Sequence, residues 1–495
     1  MPNEEEMVAL RTKTRRGCGY LVAGAATAAL MLGASPVMAQ LEKIPGRPMT
    51  PVEVEQGDAS LFSMRVLTTG LGNPWSVRWG PDDHLWVTER TESRVVRVHP
   101  VTGVKMVVLT LEDVVTGSQQ GLLGLVLHPE LLQGTGNDYV YVSHTYDASG
   151  GEGELDRKGK IVRFTYDQQT DQLIDPVELL VGIPAGTDHN AGRMQFGPDG
   201  MLYYSAGDQG QNQFRNYQNP ILSQLLPTAD QVAAEDWVSY TGKVLRIALD
   251  GSIPEDNPEI EGVRSHIYTY GHRNPQGIAF SDSGNLYEVE HGPSSDDELN
   301  LLAPGANYGW PNVSGFRDDK GYRYVNWSEA PADLEWEINP LLAPQEVPMT
   351  TEAEFPGEIT EPMASYWVVE DGFPFNEQCG IVCDPTIAPT SVYYYGAKEG
   401  GIPEWENSVL IATLKHGVIY SQPLSEDGTK AEGMPTQWLP SQNRYRDLVI
   451  GPDNRTVYIL TDSGGATTPL YGDQLSTNIN HNPGSILIFT YQGDE

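Results

Sequence analysis

A histidine close to two carboxylates is the first place in the sequence where chemistry could occur. His189 directly follows Asp188, and Asp208 lies on the following turn of the chain. A carboxylate that binds one ring nitrogen fixes the tautomer of a histidine and stabilises its imidazolium, so the other nitrogen can accept a proton near neutral pH. A histidine without such neighbours is better explained as a loop residue whose hydrogen bonds are satisfied within the fold. Because His189 has these neighbours, we predict that it is a general base.

A basic cluster is the second candidate, because the chain carries 31 basic and 67 acidic residues and a formal net charge of −36. Arg444 and Arg446 lie two residues apart, so on a strand their side chains face the same way, and Lys415 follows an apolar strand. Guanidinium groups suit carboxylates. The cluster indicates either a small polyanionic ligand or ordinary surface ion pairs. The overall charge argues against a nucleic-acid or anionic-membrane partner.

The stretch from Tyr270 to Trp310 collects the remaining polar candidates. A turn at 282–284 separates two apolar runs and predicts a hairpin, which places 272–274 and 291–293 at the same edge of one sheet. The acidic run 294–298 follows. Carboxylates and backbone carbonyls exposed by Gly and Pro are the ligands that calcium requires. The run lacks the spacing of an EF-hand loop, and the alternative is that Gly and Pro only punctuate surface loops.

Short strands must position these residues. An alternating strand, a turn and a second alternating strand recur at 75–89, 123–143, 192–207, 277–290, 408–423 and 447–461. Six such hairpin units predict an all-β fold, a six-bladed β-propeller, in which each blade covers the bare face of the next. We expect the strand near 62–67 to close the ring against 486–491. Strand ends then meet at the mouth of a central channel.

We divide the chain into three segments. Residues 1–39 are predicted to be a signal peptide, with a basic start, an apolar run at 20–32 and small residues before Gln40. Residues 40–61 form a lead-in, and 62–495 form a single propeller domain with a long insertion around 329–378. The apolar run is too short for a comfortable membrane span, so we expect a periplasmic or secreted protein without stable membrane insertion.

The sequence contains three cysteines, and Cys18 belongs to the export segment. In an oxidising compartment we expect Cys379 and Cys383 to pair and close a small ring. Two free thiols are the alternative. A metal site is less well supported, because the spacing of four ligands is missing.

Several motifs in one order, from about Leu71 to Tyr491, are similar to those of one family. The chain resembles the soluble quinoprotein glucose dehydrogenases and the related aldose sugar dehydrogenases through DHNAGR, GDQGQNQ, TGKVLRIALDGSIPEDNP, GHRNPQG, HGPSSDDELN, NYGWPNV and NRYRD. The resemblance implies a six-bladed propeller that holds pyrroloquinoline quinone (PQQ) and Ca²⁺ at the channel mouth. It also implies oxidation of an aldose at C1 to the lactone, with electrons passing to an external acceptor.

The resemblance also assigns roles to residues. His189 would take the proton of the C1 hydroxyl, Asp208 would orient it, and Arg273 would stabilise negative charge growing on the quinone oxygen. The backbone carbonyls of Gly292 and Pro293 would bind the active-site calcium. A second calcium would be held by Glu298 and the carbonyl of Tyr308. The positions that match cofactor-holding residues are Gln119, Gln213, Asn274, Thr386, Lys415, Arg444 and Arg446.

The chain also departs from the pattern of the family. Ile381 and Asp384 stand where two aromatic residues border the sugar, His291 stands where a Gln is usual, and His416 replaces an Arg. The predicted substrate class is therefore no narrower than aldoses or related pyranoses. The identity of the sugar, the natural electron acceptor and a possible homodimer stay open.

Two other functions are alternatives to the dehydrogenase. A calcium-dependent propeller lactonase would need no organic cofactor and would have no use for the basic cluster of Lys415, Arg444 and Arg446. A non-enzymatic propeller that binds a partner protein could lose His189 or Arg273 without consequence, and both residues are present.

Overall fold

Alternating strands separated by Gly, Asp and Pro turns fold into six sheets of four or five strands, arranged as a six-bladed β-propeller. The computed structural model describes residues 54–337, 339–376, 380–468 and 476–493. The predicted signal peptide and the lead-in up to residue 53 lie outside the described residues. Within the described ranges, no helix is long and apolar enough to span a bilayer.

The first three blades follow one another along the chain, and each runs outward from its first strand. Blade 1 contains Pro74–Trp79, Leu85–Glu89, Arg94–Val98 and Lys105–Thr110. Blade 2 contains Leu122–Leu127, Tyr139–Asp147, Arg157–Asp167 and Gln172–Pro184. Blade 3 contains Met194–Phe196, Leu202–Ala206, Lys243–Ile247 and Ile267–Tyr270.

The last three blades include strands brought in from far along the chain. Blade 4 contains Pro275–Phe280, Leu286–Glu290, Asp297–Leu302 and Ala364–Tyr366. Blade 5 contains Pro389–Tyr395, Ser408–Thr413, Ile419–Pro423 and Thr436–Trp438, with Glu55–Gln56 added in parallel at its edge. Blade 6 contains Tyr445–Ile450, Thr456–Thr461, Ile486–Tyr491 and, as its outer strand, Phe62–Thr68.

The predicted closure of the ring is confirmed, because Phe62–Thr68 pairs antiparallel with Ile486–Tyr491. Five of the six predicted repeats are the first two strands of a blade. The repeat at 408–423 is instead the second and third strand of blade 5, whose inner strand is Pro389–Tyr395. The looser alternation of that copy follows from its place in the middle of the sheet, where all six residues of Ser408–Thr413 are buried.

Facing sheets of adjacent blades form the hydrophobic core. Leu410 of blade 5 and Ile459 of blade 6 belong to one buried cluster, and Tyr141 of blade 2 and Leu245 of blade 3 belong to another. Burial on both faces explains why a strand such as Leu85–Glu89 is buried along its whole length. Radial packing of this kind leaves no blade face bare.

Arg193 lies between the inner strands of several blades and ties them together. Its guanidinium donates to the Ser76 hydroxyl of blade 1 at 3.1 Å, and to the Gln276 carbonyl of blade 4 at 3.0 Å. It also donates to the Thr390 carbonyl of blade 5 at 2.8 Å and to Asp447 of blade 6 at 2.7 Å. Arg193 belongs to the DHNAGR motif, and these contacts give it a structural position in the ring.

Residues 303–363 connect the third strand of blade 4 to its outer strand, and we call them the blade 4 insertion. The insertion contains a two-stranded ladder, Tyr324–Val325 with Met349–Thr350, and three 3-10 turns at Trp327–Glu329, Pro340–Leu342 and Glu352–Glu354. The outer strand Ala364–Tyr366 itself falls within the predicted insertion of 329–378. The remaining elements are the hairpin of Glu259–Ile260 and Val263–Arg264, the short helix Ala229–Ala233, and 3-10 turns at Ala59–Leu61, Phe214–Asn216 and Pro403–Trp405.

Candidate active site

His189 lies beside Asp208 in a buried pair. Its Nδ1 is 2.7 Å from Oδ1 of Asp208, and the side chains are 7% and 1% exposed. The other carboxylate oxygen of Asp208 accepts the indole N–H of Trp310 at 2.8 Å. Three elements therefore hold this pair: the loop before blade 3, the loop after its second strand, and the blade 4 insertion.

Gln213 sets the orientation of the imidazole. Arg273 Nη2 donates to Oε1 of Gln213 at 3.0 Å, so the amide nitrogen of Gln213 faces Nε2 of His189 at 3.2 Å. An amide N–H can only donate, so Nε2 accepts and carries the lone pair, while Nδ1–H donates to Asp208. The arrangement presents an unprotonated ring nitrogen, as a general base requires.

The backbone around His189 is tightly fixed. His189 has a φ of +43°, a conformation that side chains rarely adopt and that the surrounding structure must hold. A side chain at Gly207 would place its Cβ 2.0 Å from the carbonyl oxygen of His189, so only glycine permits this approach. Gln119 donates to Asp188, and its own carbonyl accepts from Asn190 at 3.2 Å. Gln119 is thereby joined to the same loop.

Glu290 anchors the neighbouring segment at the end of blade 4. Its Oε2 accepts the backbone N–H of Arg273 at 2.6 Å and that of Asn274 at 3.2 Å. Its Oε1 lies 3.2 Å from Nδ1 of His272. These contacts confirm the prediction that 272–274 and 291–293 meet at one edge of the sheet, since Glu290 immediately precedes the second segment. Arg273 Nη1 also donates to the His291 carbonyl at 3.2 Å.

The basic cluster is mostly withdrawn from the surface, because Lys415 and Arg446 are buried and Arg444 is part-buried. Arg446 makes a paired interaction with Asp462 at 2.8 and 2.7 Å, and Arg444 Nε lies 3.4 Å from the same carboxylate. Burial is the largest single influence and would raise the pKa of Asp462. The charge and hydrogen bond of Arg446, together with the charges of Arg444 and Arg90, outweigh it, so the pKa is lowered. Arg90 is a third guanidinium whose charge acts on Asp462. Burial and then the charge of Arg446 lower the pKa of Arg90 to about 10.

Lys415 and Thr386 lie on the same side as the calcium candidates. Lys415 Nζ donates to the Thr386 hydroxyl and to the Asp384 carbonyl at 2.8 Å. Asp297 accepts the Gly292 backbone N–H at 2.9 Å through one oxygen and the backbone N–H of 387 and 388 through the other. Burial raises the pKa of Asp297 to about 6, against these N–H groups and the charge of Lys415. The carboxylate of Asp297 thus interacts with both Lys415 and the Gly292 loop.

The Gly292 loop is tightly curled, because a Cβ on Gly292 would lie 1.8 Å from the Ser295 carbonyl oxygen. In the described part of the chain, the carbonyl oxygens of Gly292 and Pro293 accept no hydrogen bond. Backbone oxygens left open in this way suit a hard cation such as Ca²⁺.

Glu298 lies on the third strand of blade 4, and Tyr308 lies near the start of the blade 4 insertion. Oε1 of Glu298 accepts the backbone N–H of Gly315 at 2.6 Å, and the adjacent Ser314 N–H donates to Glu352 at 3.0 Å. Burial, with the charge of Glu290 next, raises the pKa of Glu298 well above its ordinary value. Buried carboxylates that crowd together in this way form a donor set that suits a divalent cation.

Two groups of the predicted residues are linked by hydrogen bonds. Arg446 Nη1 donates to Oε1 of Gln276 at 3.4 Å, and Nε2 of Gln276 donates to Oδ1 of Asn274 at 2.8 Å. This chain joins the basic cluster to the segment that contains Arg273. Sequence reasoning did not single out Trp310, Glu290, Asp462 or Arg90. For Arg90 a signal exists, because it follows the second strand of blade 1 directly, at a strand end like the other candidates.

One prediction falls partly outside the described residues. Cys383 is disulfide-bonded, while Cys379 lies outside the described ranges. The pairing of these two residues therefore stays a prediction.

The comparisons with known proteins agree on a family. The family model described as "Glucose / Sorbosone dehydrogenase" matches residues 71–347 and 371–470. Quinoprotein glucose dehydrogenase B of Acinetobacter calcoaceticus is 40% identical over 455 residues, covering 90% of this chain and 94% of the relative. The chain belongs to the glucose/sorbosone dehydrogenase family. It is an oxidoreductase by this membership.

More distant members of the family show the same relationship. Aldose sugar dehydrogenase YliI of Escherichia coli strain K12 is 26% identical over 408 residues, covering 81% of this chain and 90% of the relative. The PQQ-bound aldose sugar dehydrogenase of Streptomyces coelicolor superposes with a TM-score of 0.58 at 27% identity, covering 87% of this chain and 98% of that one. This member of the family was solved with PQQ bound.

The donor set of this chain fits PQQ, a flat quinone with several carboxylates. Arg90, Arg444 and Arg446 all interact electrostatically with the carboxylate of Asp462, so three positive charges share this one carboxylate in a largely buried place. Buried charge of this kind is costly unless an anion compensates it. Asn274 Nδ2 is buried and has no hydrogen-bond partner among the described residues, so it offers a donor to a ligand.

Proposed function

We propose that this protein is a PQQ-dependent dehydrogenase that oxidises an aldose at C1 to the lactone. The observation that carries the proposal is the linked set of His189, Asp208, Gln213 and Arg273, in which Nε2 of His189 is held as an acceptor. An external acceptor then takes the two electrons removed from the sugar.

The chain supplies the proton chemistry. Nε2 of His189 takes the proton of the C1 hydroxyl, and Asp208 stabilises the imidazolium through the hydrogen bond at Nδ1. When bound, PQQ supplies the acceptor for the hydride that leaves C1. Arg273 has a fixed position, because Gln213 and the His291 carbonyl hold its two terminal nitrogens, and its charge is preorganised for negative charge that develops nearby.

The remaining residues hold the cofactor and the metal. Arg444, Arg446 and Lys415 neutralise the carboxylates of PQQ, and Thr386 fixes Lys415. Gln119 and Asn274 complete the polar wall. The carbonyls of Gly292 and Pro293 bind Ca²⁺ at the site, and Glu298 with the carbonyl of Tyr308 binds a second Ca²⁺. Glu352 reaches the same turn as Glu298, so we add it to this second set.

Reconstitution tests the proposal. Purified protein with PQQ and Ca²⁺ should reduce an electron-accepting dye in the presence of an aldose, and should not do so when PQQ is left out. His189→Ala should abolish the reaction while the circular-dichroism spectrum stays unchanged. His99→Ala, in the turn between the outer strands of blade 1, is the matched control and should retain full activity.

Two results would contradict the proposal. An unchanged rate in His189→Ala would remove His189 from the mechanism. Sugar turnover that does not depend on PQQ would favour a lactonase reaction instead.

We also propose that residues 1–39 direct export to the periplasm or the medium. N-terminal sequencing of protein recovered from the periplasm should begin at Gln40. Protein that keeps residues 1–39 would contradict this assignment.

A further inference from the structure

A cavity of about 240 Å³ lies at the end of the central channel that faces away from the candidate active site. Its walls come from blades 1, 3, 4, 5 and 6, among them the inner strands Pro275–Phe280 and Tyr445–Ile450. These two strands begin beside Asn274 and Arg444, on the side of the candidate site, and the cavity contacts their later residues. A ligand in this cavity is therefore separate from any group bound at the candidate site.

Two arginines share one carboxylate in the wall of the cavity. Nη1 of Arg78 lies 3.2 Å from Oδ2 of Asp447, and Nη1 of Arg193 lies 2.7 Å from the same oxygen. The other charged groups that line the cavity are Lys398 and Asp282, which pair with each other at 3.4 Å. Three cations and two carboxylates thus line the cavity, so its wall has one positive charge in excess. This excess favours a ligand with a single negative charge.

Two hydrogen-bond donors of the wall have no acceptor. Nε of Arg78 and the hydroxyl of Ser391 are buried without a hydrogen-bond partner in the part of the chain that the structure describes. Nη2 of Arg78 carries two hydrogens, and the Met194 carbonyl at 3.2 Å accepts one of them. A buried donor without an acceptor is unfavourable unless a ligand supplies one. Nε and Nη2 form one edge of the guanidinium, and such an edge can donate two parallel hydrogen bonds to a carboxylate.

The cavity has room for more than a carboxylate. Its volume of about 240 Å³ is many times the roughly 10–15 Å³ that admits one water molecule. Gln195 also lines the cavity, and its side-chain amide makes no hydrogen bond within the described ranges. An amide both donates and accepts, as a hydroxyl group does. Gln195 is therefore suited to a ligand that carries hydroxyl groups.

We propose that this cavity binds a small hydroxylated monocarboxylate. The Nε and Nη2 edge of Arg78 and the hydroxyl of Ser391 hold the carboxylate, and Gln195 contacts a hydroxyl group of the same ligand. The anion compensates the positive charge that Arg78 and Arg193 leave in excess over Asp447. The site does not depend on the proposed reaction, although the lactone formed in that reaction takes up water to give an acid of this class.

Calorimetric titration of the full chain, loaded with PQQ and Ca²⁺, tests the proposal. Gluconate and sorbitol are the probes, because they have the same carbon skeleton and only gluconate carries a carboxylate. We expect one gluconate to bind per chain, about tenfold or more tightly than sorbitol, because hydrogen bonds between a guanidinium and a carboxylate are charge-assisted.

Variants of the wall locate the binding. Arg78→Met keeps most of the volume but removes the charge and the donors, so it should weaken gluconate binding about tenfold or more. Arg78→Lys keeps the charge without the paired donors and should give an intermediate affinity. Ser391→Ala removes one small buried hydroxyl and should weaken binding about threefold, which keeps the test valid if Arg78→Met fails to fold. Arg65→Met is the matched control, since Arg65 is exposed and does not line the cavity.

Several results would overturn the site. These are no binding of gluconate, equal affinity for gluconate and sorbitol, equal affinity for gluconate and inorganic phosphate, and unchanged gluconate binding in Ser391→Ala together with a folded Arg78→Met. A loss of affinity in the Arg78 and Ser391 variants, with wild-type affinity in Arg65→Met, would support it. Dye reduction is measured separately in the same preparations, and its absence would count against the proposed function rather than against this site.

Discussion

The indole N–H of Trp310 donates to Oδ2 of Asp208 at 2.8 Å, while Oδ1 of the same carboxylate lies 2.7 Å from Nδ1 of His189. The three groups form a chain of hydrogen bonds, in which Trp310 orients Asp208 and Asp208 orients the imidazole. Trp310 comes from the blade 4 insertion, so this insertion supports the base directly. The guanidinium of Arg273 also lies over the Trp310 ring, 5.4 Å from its centroid.

Trp310→Phe should therefore lower kcat of the PQQ-loaded protein about tenfold or more, because a buried carboxylate oxygen loses its partner. The phenyl ring keeps most of the volume, so the thermal unfolding temperature should change little. Steady-state dye reduction measures the effect. Trp237→Phe is the control, because Trp237 is 6% exposed, Trp310 is 7% exposed, and Trp237 packs in the cluster between blades 2 and 3. Equal losses of kcat in the two variants would contradict a special role for Trp310.

Calcium should stabilise the fold through the buried carboxylates of blade 4. Burial and the charge of Glu290 raise the pKa of Glu298, which means that its ionised carboxylate is unfavourable there. A divalent cation near the carboxylate compensates this cost. At a hundredfold excess over Kd, a ligand that binds only the folded state adds about 2.7 kcal/mol to the free energy of unfolding. Glu298→Gln should lose the part of the gain that the second Ca²⁺ site contributes.

Differential scanning calorimetry with and without Ca²⁺ measures this gain. Glu358→Gln changes an exposed carboxylate of the same insertion, and its response to Ca²⁺ should match that of wild type. A full response to Ca²⁺ in Glu298→Gln would show that the cation binds elsewhere.

Arg193 should be essential for stability rather than for chemistry. It is buried and donates to groups of four other blades, among them Asp447 at 2.7 Å. Arg193→Met should lower the free energy of unfolding by about 3–5 kcal/mol, because removing one partner leaves a buried carboxylate and two carbonyls with fewer donors. Arg215→Met, at an exposed arginine, should have almost no effect. Urea unfolding of both variants provides the measurement, and comparable stability would contradict the central role.

The sequence predicts those parts of the site that depend on local pattern. The hairpin around 282–284 was predictable because a Gly turn separates two apolar runs, and its strands Pro275–Phe280 and Leu286–Glu290 do pair. The contact between His189 and Asp208 was predictable because the two residues lie 19 positions apart at strand ends of one blade.

The contacts that cross blades were not predictable from pattern. Trp310 reaches Asp208 across 102 residues, and only the packing of the insertion brings them together. Within blade 4, the pattern predicts that the two ends of the hairpin meet, but not that the carboxylate of Glu290 accepts the backbone N–H of Arg273. The misplaced repeat at 408–423 has a different cause, because its middle strand is buried along its whole length and the pattern does not distinguish it from an inner strand.

His266 should make the stability of blade 3 depend on pH. Burial lowers the pKa of His266 to about 4, while its value in the unfolded chain is near 6.5. In the neutral ring, Nε2–H donates to the Gly251 carbonyl at 3.1 Å, and Nδ1 accepts from the Tyr240 hydroxyl at 3.0 Å. Between these two pKa values the unfolded state binds more protons, so stability is full above pH 6.5 and falls as pH drops toward 4.

The expected loss from this one group is about 3 kcal/mol, from the difference between the two pKa values. His266→Gln keeps a donor and an acceptor in the same pocket but cannot be protonated. Its free energy of unfolding should fall by about 3 kcal/mol less than that of wild type between pH 6.5 and 4. Urea unfolding of both proteins at several pH values measures the difference. Parallel pH profiles for the two proteins would mean that His266 is protonated in the folded state as easily as in the unfolded chain.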